Sequence, residues 1–376
     1  MDFQPDHRHF DAVMRNERPA RMPLYEHLVN VEFMEKATGR SFGALAQGDA
    51  ADRDEFFRHY HGFYRDMGYD VVSFEVCLGA TMPGGRSALC GGKGDIQTRA
   101  DFDGYGWREW PERFWAQAGP LFDAAVRTLP PGMKLVGGVG NGVFELAESL
   151  VGLECLPFLQ VDDPELYADL YAAIGDLMEG VWADFVKRYG RFFAACRFGD
   201  DLGFRSSLLT NPSTVRGHIL PQYRRVIGAI RAAGLPFLWH SCGCVFEIME
   251  DVIALGIDAK HSNEDPIAPF DRWIRDYGDR IALLGGFDLD VLCTLSEDDV
   301  YRKVREDGAR FRATAKGYAL GSGNSIPAYV PVENYLAMVR AGREIGSGRP
   351  PDGGNREARI RPGPMTVQGK REDTTA

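Results

Sequence analysis

An α/β fold, a single closed (β/α)8 barrel, is what this sequence predicts, and three observations predict it. Short apolar runs alternate along the chain with longer amphipathic stretches, as a parallel sheet joined by helices requires. Eight such runs can be counted, the number that closes a barrel. Nearly every run ends in polar residues, and a barrel of this kind builds its active site at the C-terminal ends of its strands. With 376 residues the chain is long enough for two domains of about 150 residues each, but α/β barrels of this size commonly form one.

In chain order, the first run is MPLYE (22–26), which closes on Glu26 with His27 after it. VVSFE (71–75) ends in Glu75, and KLVGGVGN (134–141) ends in Asn141. FFAACRFGDD (192–201) closes on Asp200 and Asp201, and PFLWHSC (236–242) on His240 and Cys242. IDAKHSNE (257–264) carries His261 and Glu264, IALLGGFD (281–288) ends in Asp288, and YALGSGN (318–324) carries Ser322 and Asn324. Such near-continuous apolar runs suit strands buried on both faces. Between them, PELYADLYAAIGDLMEGVWADFVKRYG and PSTVRGHILPQYRRVIGAIRAAG repeat apolar residues every three or four positions. Asp163-Pro164 and Asn211-Pro212 are helix-start signals for these two segments. A carboxylate after a strand is often just the cap of the next helix, a reading that competes for Asp201 and Asp288. It does not account for the ring of polar residues as a whole.

One connection departs from the pattern. LGATMPGGRSALCGGKGDIQTRADFDGYGWREWPERFW, after the second run, is long and rich in glycine and aromatics. Loops of this length inside a compact domain are usually functional. The expectation is an excursion, with a hairpin, forming a wall or lid over the barrel mouth, against the plainer reading of surface decoration. At the other end, GSGRPPDGGNREARIRPGPMTVQGKREDTTA lacks periodic apolar residues and is dense in Gly, Pro and charge. The expected organisation is therefore a barrel over residues 1–346 and a disordered tail over 347–376.

Composition narrows the function. The chain is 44% hydrophobic and 26% charged, as an ordinary globular protein is, and its formal charge of −11 gives no basic stripe for nucleic acid. Seven irregularly spaced cysteines read as reduced thiols rather than a disulfide framework. No stretch approaches the roughly 18 uncharged apolar residues of a membrane span, and MDFQPDHRHF has no apolar h-region. The expected setting is cytoplasmic, with a small-molecule substrate as partner and a homodimer left open.

FLWHSCGCVFEIMEDVIALGIDAKHSNED (237–265) gathers two thiols and two imidazoles around a helical apolar pattern. Phe246, Ile248, Met249, Val252, Ile253 and Leu255 are core. Because a strand places alternate side chains on one face, His240 and Cys242 can point into one site. Mixed His, Cys and carboxylate ligation suits zinc, and a catalytic zinc needs three protein ligands and an open position. Cys244, His261 and Glu264 could each supply the third. The competing reading is a buried thiol beside a hydrogen-bonded imidazole.

Five ordered blocks carry a family resemblance: VGGVGNGVFELAESLVG, ECLPFLQVDDPELYADLY, GDDLGFRSSLLTNPSTVRGHILPQYRRVI, LLGGFDLDVL and GYALGSGNSIPAYVPVENYLAMV. Together they resemble the uroporphyrinogen decarboxylase superfamily, which includes corrinoid-linked zinc methyltransferases, over roughly residues 8–346. The true decarboxylases carry an arginine-rich N-terminal signature and a catalytic aspartate after the second strand. Here RMPLYEHLVNVEF lacks the arginine pair, Glu75 stands at the aspartate position, and Ser322 replaces a histidine. The methyltransferase branch carries His-x-Cys after the fifth strand, matched by His240-Ser241-Cys242, and a second cysteine after the eighth, where this chain has Ser322.

The resemblance implies a metal site of His240, Cys242 and, by likeness to an acid at the sixth strand end, Glu264. It also implies a corrinoid carried by a partner protein, with methyl transfer as the reaction. Loss of a sulfur ligand at Ser322 leans toward a Lewis-acid role for the metal rather than thiol activation. Glu75 and Asp200 are then candidates for proton handling or substrate orientation, against the plainer reading of hydrogen-bonded barrel-mouth residues, and Glu26, His27, Asn141, Asp288, Ser322 and Asn324 for substrate binding. The alternatives are decarboxylation of a tetrapyrrole or another aromatic acid, and a binding barrel without chemistry.

Overall fold

Seven of the eight apolar runs form strands in the computed structural model, which describes residues 3–83 and 92–347. They are β1 (Val71–Cys77), β2 (Lys134–Gly140), β3 (Phe193–Gly199), β4 (Phe237–His240), β5 (Ala259–His261), β6 (Ala282–Phe287) and β7 (Tyr318–Ser322). All pair in parallel, each with its neighbour in sequence. Helical connections join them, as the alternation of patterns requires. Among the described residues no helix is long and apolar enough to cross a membrane.

The expected closed eight-stranded barrel is corrected at one position. The first run makes a single parallel bridge, Leu24 to Leu320, and Val29 just after it makes another to Ile326, instead of a continuous strand. Tyr25 N–H donates to Leu320 O and Leu320 N–H donates to Pro23 O. The run is short, and Pro23 has no N–H to give to a ladder. On its other side the run meets β1 through side chains, including a bond from Ser73 Oγ to Glu26 O. Gly321 permits the close approach, since a Cβ there would collide with Tyr25 O.

Two cores follow from strand alternation. Residues pointing outward, such as Val72, Phe198, Trp239, Leu283, Tyr318 and Leu320, pack under the helices. Those pointing inward, including Val71, Val136, Ala195, Leu238, Ala259, Leu284 and Ala319, form a separate cluster with Tyr25. Phe10, Val13 and Met14 of the helix Arg8–Met14 join this inner cluster and plug the N-terminal end of the sheet. The inward face is therefore apolar at that end, and its chemistry-bearing side chains lie above.

The two helix-start signals hold. Asp163 Oδ1 accepts from Leu166 N–H at the start of Pro164–Tyr189, and Asn211 Oδ1 accepts from Ser213 N–H. The second segment winds as a π-turn over Val215–Ile219 before the helix Leu220–Ala232, next to Pro221, which breaks the regular ladder.

The excursion contains a short helix, Arg99–Asp103, and the longer Trp110–Arg127. Gly94 and Ile96 N–H groups donate to the carbonyls of Val151 and Leu150, laying the segment along the helix Val143–Val151. Buried Trp110 donates its Nε1–H to Thr81 Oγ1. The expected hairpin finds no strand among the described residues of this segment, and residues 84–91 lie outside them. The expected disordered tail, apart from Ser347 at the end of the last helix, also lies outside them.

Candidate active site

A buried ion pair sits above the inner apolar layer. Arg197, from the middle of β3, is fully buried and donates to Glu75 Oε2 at 2.6 Å. The same guanidinium reaches Tyr25 Oη and His27 O, each at 2.7 Å, and Ser73 Oγ at 3.4 Å. A buried charge is tolerable when it is paired and hydrogen-bonded in this way. Gly137 on β2, at φ +131°, leaves the room: a Cβ would stand 2.2 Å from Phe74 O and 3.5 Å from the guanidinium. Glu75 is thus committed to Arg197, where the sequence made it a candidate for proton handling.

Three imidazoles form the next layer. His27, His240 and His261 are buried, and the rings of His27 and His240 stack with centroids 3.7 Å apart. Burial, followed by neighbouring positive charge, holds His27 and His240 well below the ordinary histidine range, while burial holds His261 at about 3. All three are therefore neutral near pH 7.

Their hydrogen bonds fix the protons. His261 Nε2 lies 3.0 Å from Ser322 O, which can only accept, so Nε2 carries the hydrogen of His261. His261 Nδ1 then offers a lone pair to His240 Nδ1 at 2.8 Å, and the hydrogen there belongs to His240. His240 Nε2 is left bare, 3.5 Å from Cys242 Sγ and 4.0 Å from Asp201 Oδ1.

Cys242 Sγ also faces two donors, Ser262 Oγ and Asn324 Nδ2, each at 3.4 Å. Burial, then the charge of Asp201, pushes its thiol up. Ser262 holds a non-glycine φ of +94° at the end of β5. Asp201 Oδ1 accepts from Cys242 N–H at 2.8 Å, and its half-exposed carboxylate opens to the mouth.

Among the described residues two groupings of possible ligand atoms, each within 4.8 Å, result: His27, His240 and His261, and Asp201, His240 and Cys242. In the first, the His240 and His261 Nδ1 atoms are hydrogen-bonded to each other, and His261 Nε2 to Ser322 O. The second has a bare imidazole nitrogen, a thiol and a carboxylate converging from one partly open side, so its donor chemistry fits zinc. Glu264 and Cys244 belong to neither grouping. Glu264 Oε1 accepts from Gly243 N–H at 3.2 Å, and Cys244 N–H donates to Phe204 O.

The remaining predicted residues serve the frame. Glu26 and Ser322 have the outward parity of Leu24, Tyr318 and Leu320 and meet each other, and Glu26 also accepts from Tyr69, itself bonded to Tyr335. Burial pushes Glu26 up to about 8. Ser322 Oγ lies 2.5 Å from both Glu26 Oε2 and Asn324 O, two contacts that one hydroxyl hydrogen cannot serve. At neutral pH the protonated Glu26 donates to Ser322, which donates to Asn324 O.

Asp200, also outward, accepts from Phe144 N–H, Glu145 N–H and Tyr223 Oη–H, capping the helix Val143–Val151 from outside it. Burial still raises it to about 6. Asp288 caps the helix Leu289–Thr294 through Asp290 N–H and accepts from Asp265 N–H as well. Asn141, at φ +68°, accepts from Gly79 N–H and donates to Glu145. Asn324 alone among the expected substrate-binding polar groups reaches the sulfur, while His27 Nδ1 has no hydrogen-bond partner among the described residues.

Sequence reasoning missed Arg197 and did not place Asp201 beside the thiol. A charged residue inside the apolar run FFAACRF was the available signal, because arginine is almost never fully buried unless paired. Asp201 gave no comparable sign, since its approach depends on the turn after β3.

A family profile described as Uroporphyrinogen decarboxylase (URO-D) matches residues 124–345. No curated protein sequence matches. Among solved structures, a methyltransferase from Methanosarcina mazei superposes with a TM-score of 0.69 at 16% identity, covering 89% of this chain and 97% of that one. A rutinosidase from Aspergillus niger reaches a TM-score of 0.42 at 10% identity, covering 87% of this chain and 94% of that one. An endo-1,4-β-xylanase from Penicillium canescens reaches 0.45 at 10% identity, covering 92% of this chain and 99% of that one. The match of sequence over more than half its length, with a shared barrel-like fold, means that the chain belongs to the uroporphyrinogen decarboxylase family.

Proposed function

We propose that this protein is a zinc-dependent methyltransferase that moves a methyl group between a small substrate and a corrinoid carried by a partner protein. The observation that carries the reading is the convergence of a bare His240 Nε2, Cys242 Sγ and the Asp201 carboxylate at the open end of the sheet. These three residues would hold the metal, with Asp201 taking the place that sequence likeness gave to Glu264. Zinc there supplies Lewis acidity toward a leaving oxygen or nitrogen, and it lowers the pKa of a coordinating thiol.

The chain's own groups do the rest. Ser262 and Asn324 donate toward the sulfur and stabilise its negative form. His27 stacks on one face of the His240 ring and restricts its tilt. The Glu75–Arg197 pair keeps the floor of the site balanced in charge. Since Glu75, Tyr25, His27 and Ser73 occupy the Arg197 guanidinium, it offers little to a substrate carboxylate, which weighs against the decarboxylase alternative.

The test mixes the protein with its corrinoid partner and methoxylated or methylamine compounds. Reduced cobalamin should become methylcobalamin, seen by its absorbance change, and Cys242→Ala should be inactive. Release of carbon dioxide from uroporphyrinogen at an enzyme-like rate would show the reading to be wrong.

A further inference from the structure

We infer that His261 is a positioning residue for metal binding, selecting the tautomer of His240 whose bare Nε2 faces Cys242 and Asp201. The inference rests on the proposed metal role of His240. A free neutral imidazole prefers its hydrogen on Nε2, the atom that here must be bare to ligate. Something must therefore reverse the preference.

Ser322 O begins the reversal. The Ser322 backbone is held on both sides, with the N–H against Glu26 and the carbonyl against His261 Nε2 at 3.0 Å. A carbonyl only accepts, so the hydrogen of His261 is drawn to Nε2 and its Nδ1 is left as an acceptor. Across 2.8 Å, that acceptor draws the hydrogen of His240 to Nδ1. The Ser322 backbone thus acts on the metal-facing nitrogen through two rings, although the Ser322 hydroxyl points away toward Glu26 and Asn324. Metal-binding histidines generally have the second nitrogen fixed by an outer partner, and losing that partner typically weakens metal binding 10–100-fold. Here the partner is another histidine, which His27 does not replace, because it meets His240 through its ring face.

The first measurement uses the intact, metal-free chain labelled with 15N-histidine, with His240 assigned by the signal lost in His240→Gln. His240 should show a protonated Nδ1 and a bare Nε2. A protonated Nε2 in the wild type overturns the inference.

The second is zinc affinity by competition with a chromophoric chelator. His261→Leu should weaken binding about 10–100-fold. His261→Asn, whose Oδ1 can accept from His240 Nδ1–H, should restore wild-type affinity. Unchanged affinity in a folded His261→Leu protein overturns the relay while leaving the metal site standing. Failure of the wild type to bind zinc overturns the proposed function and with it the purpose of the relay. Should His261→Leu not fold, the wild-type tautomer decides.

Discussion

Asp201 and Glu264 separate two descriptions of the site at the scale of single residues. Both are acids beside the His240–Cys242 turn, but only the Asp201 carboxylate groups with the imidazole and the thiol. Asp201→Asn should lower zinc affinity by at least about tenfold, the scale seen even for residues one shell further out, whereas Glu264→Gln should leave it unchanged. Chelator competition on both variants checks this. Arg197 offers a test of stability. Arg197→Met strands the buried Glu75 carboxylate and should cost about 3–5 kcal/mol in denaturant unfolding, and adding Glu75→Leu should recover most of it.

How legible these roles were depended on strand parity. Applied to His240 and Cys242, alternation let both point into one site, and the structure brings them 3.5 Å apart. The same rule carried back from Leu320 puts Ser322 on the outer face, and carried from Phe198 it puts Asp200 there too. Both therefore serve helices and neighbours outside the sheet. The His240–His261 contact could not be read from sequence, because it depends on the register in which His240 pairs with His261 across β4 and β5.

Among the elements, the helix Val143–Val151 has Gly142 at its N-cap position and borrows its cap from Asp200. Asp200→Ala removes the acceptor for two helix N–H groups and for Tyr223, and should cost about 3 kcal/mol. Asp200→Asn, which keeps an acceptor oxygen, should cost less. The folded Asp200→Asn protein should keep its methyl-transfer activity, which separates a cap from a catalytic acid.

The first run is likewise held to β7 by a proton. Glu26 is raised in the folded protein to about 8 from an ordinary 4.5, so the folded state keeps a proton that the unfolded chain releases. Its contribution is fully present below about pH 4.5 and is lost as pH rises through about 8. The wild-type Tm should accordingly fall between about pH 5 and 8, and Glu26→Gln, which cannot ionise, should flatten that fall. Equal slopes in the two proteins would contradict the assignment.

For the whole molecule, hydrophobic alternation was enough to locate β2 to β7 inside predicted runs, and β1 runs two residues past its own, to Cys77. The first run was the exception because apolar content alone does not make a ladder. Pro23 lacks the donor, and the segment is held by two bridges and by side chains. Family membership and barrel-like fold agree with the sequence resemblance. The reaction rests on the cluster at the open end of the sheet.

Zinc content of the purified chain, measured beside that of Cys242→Ala, tests that cluster most directly. The wild type should hold about one zinc per chain, as a single three-ligand site predicts. Cys242→Ala should lose the metal while keeping the circular dichroism of the wild type. Equal zinc in the two folded proteins, or none in either, would contradict a metal centre built on His240, Cys242 and Asp201.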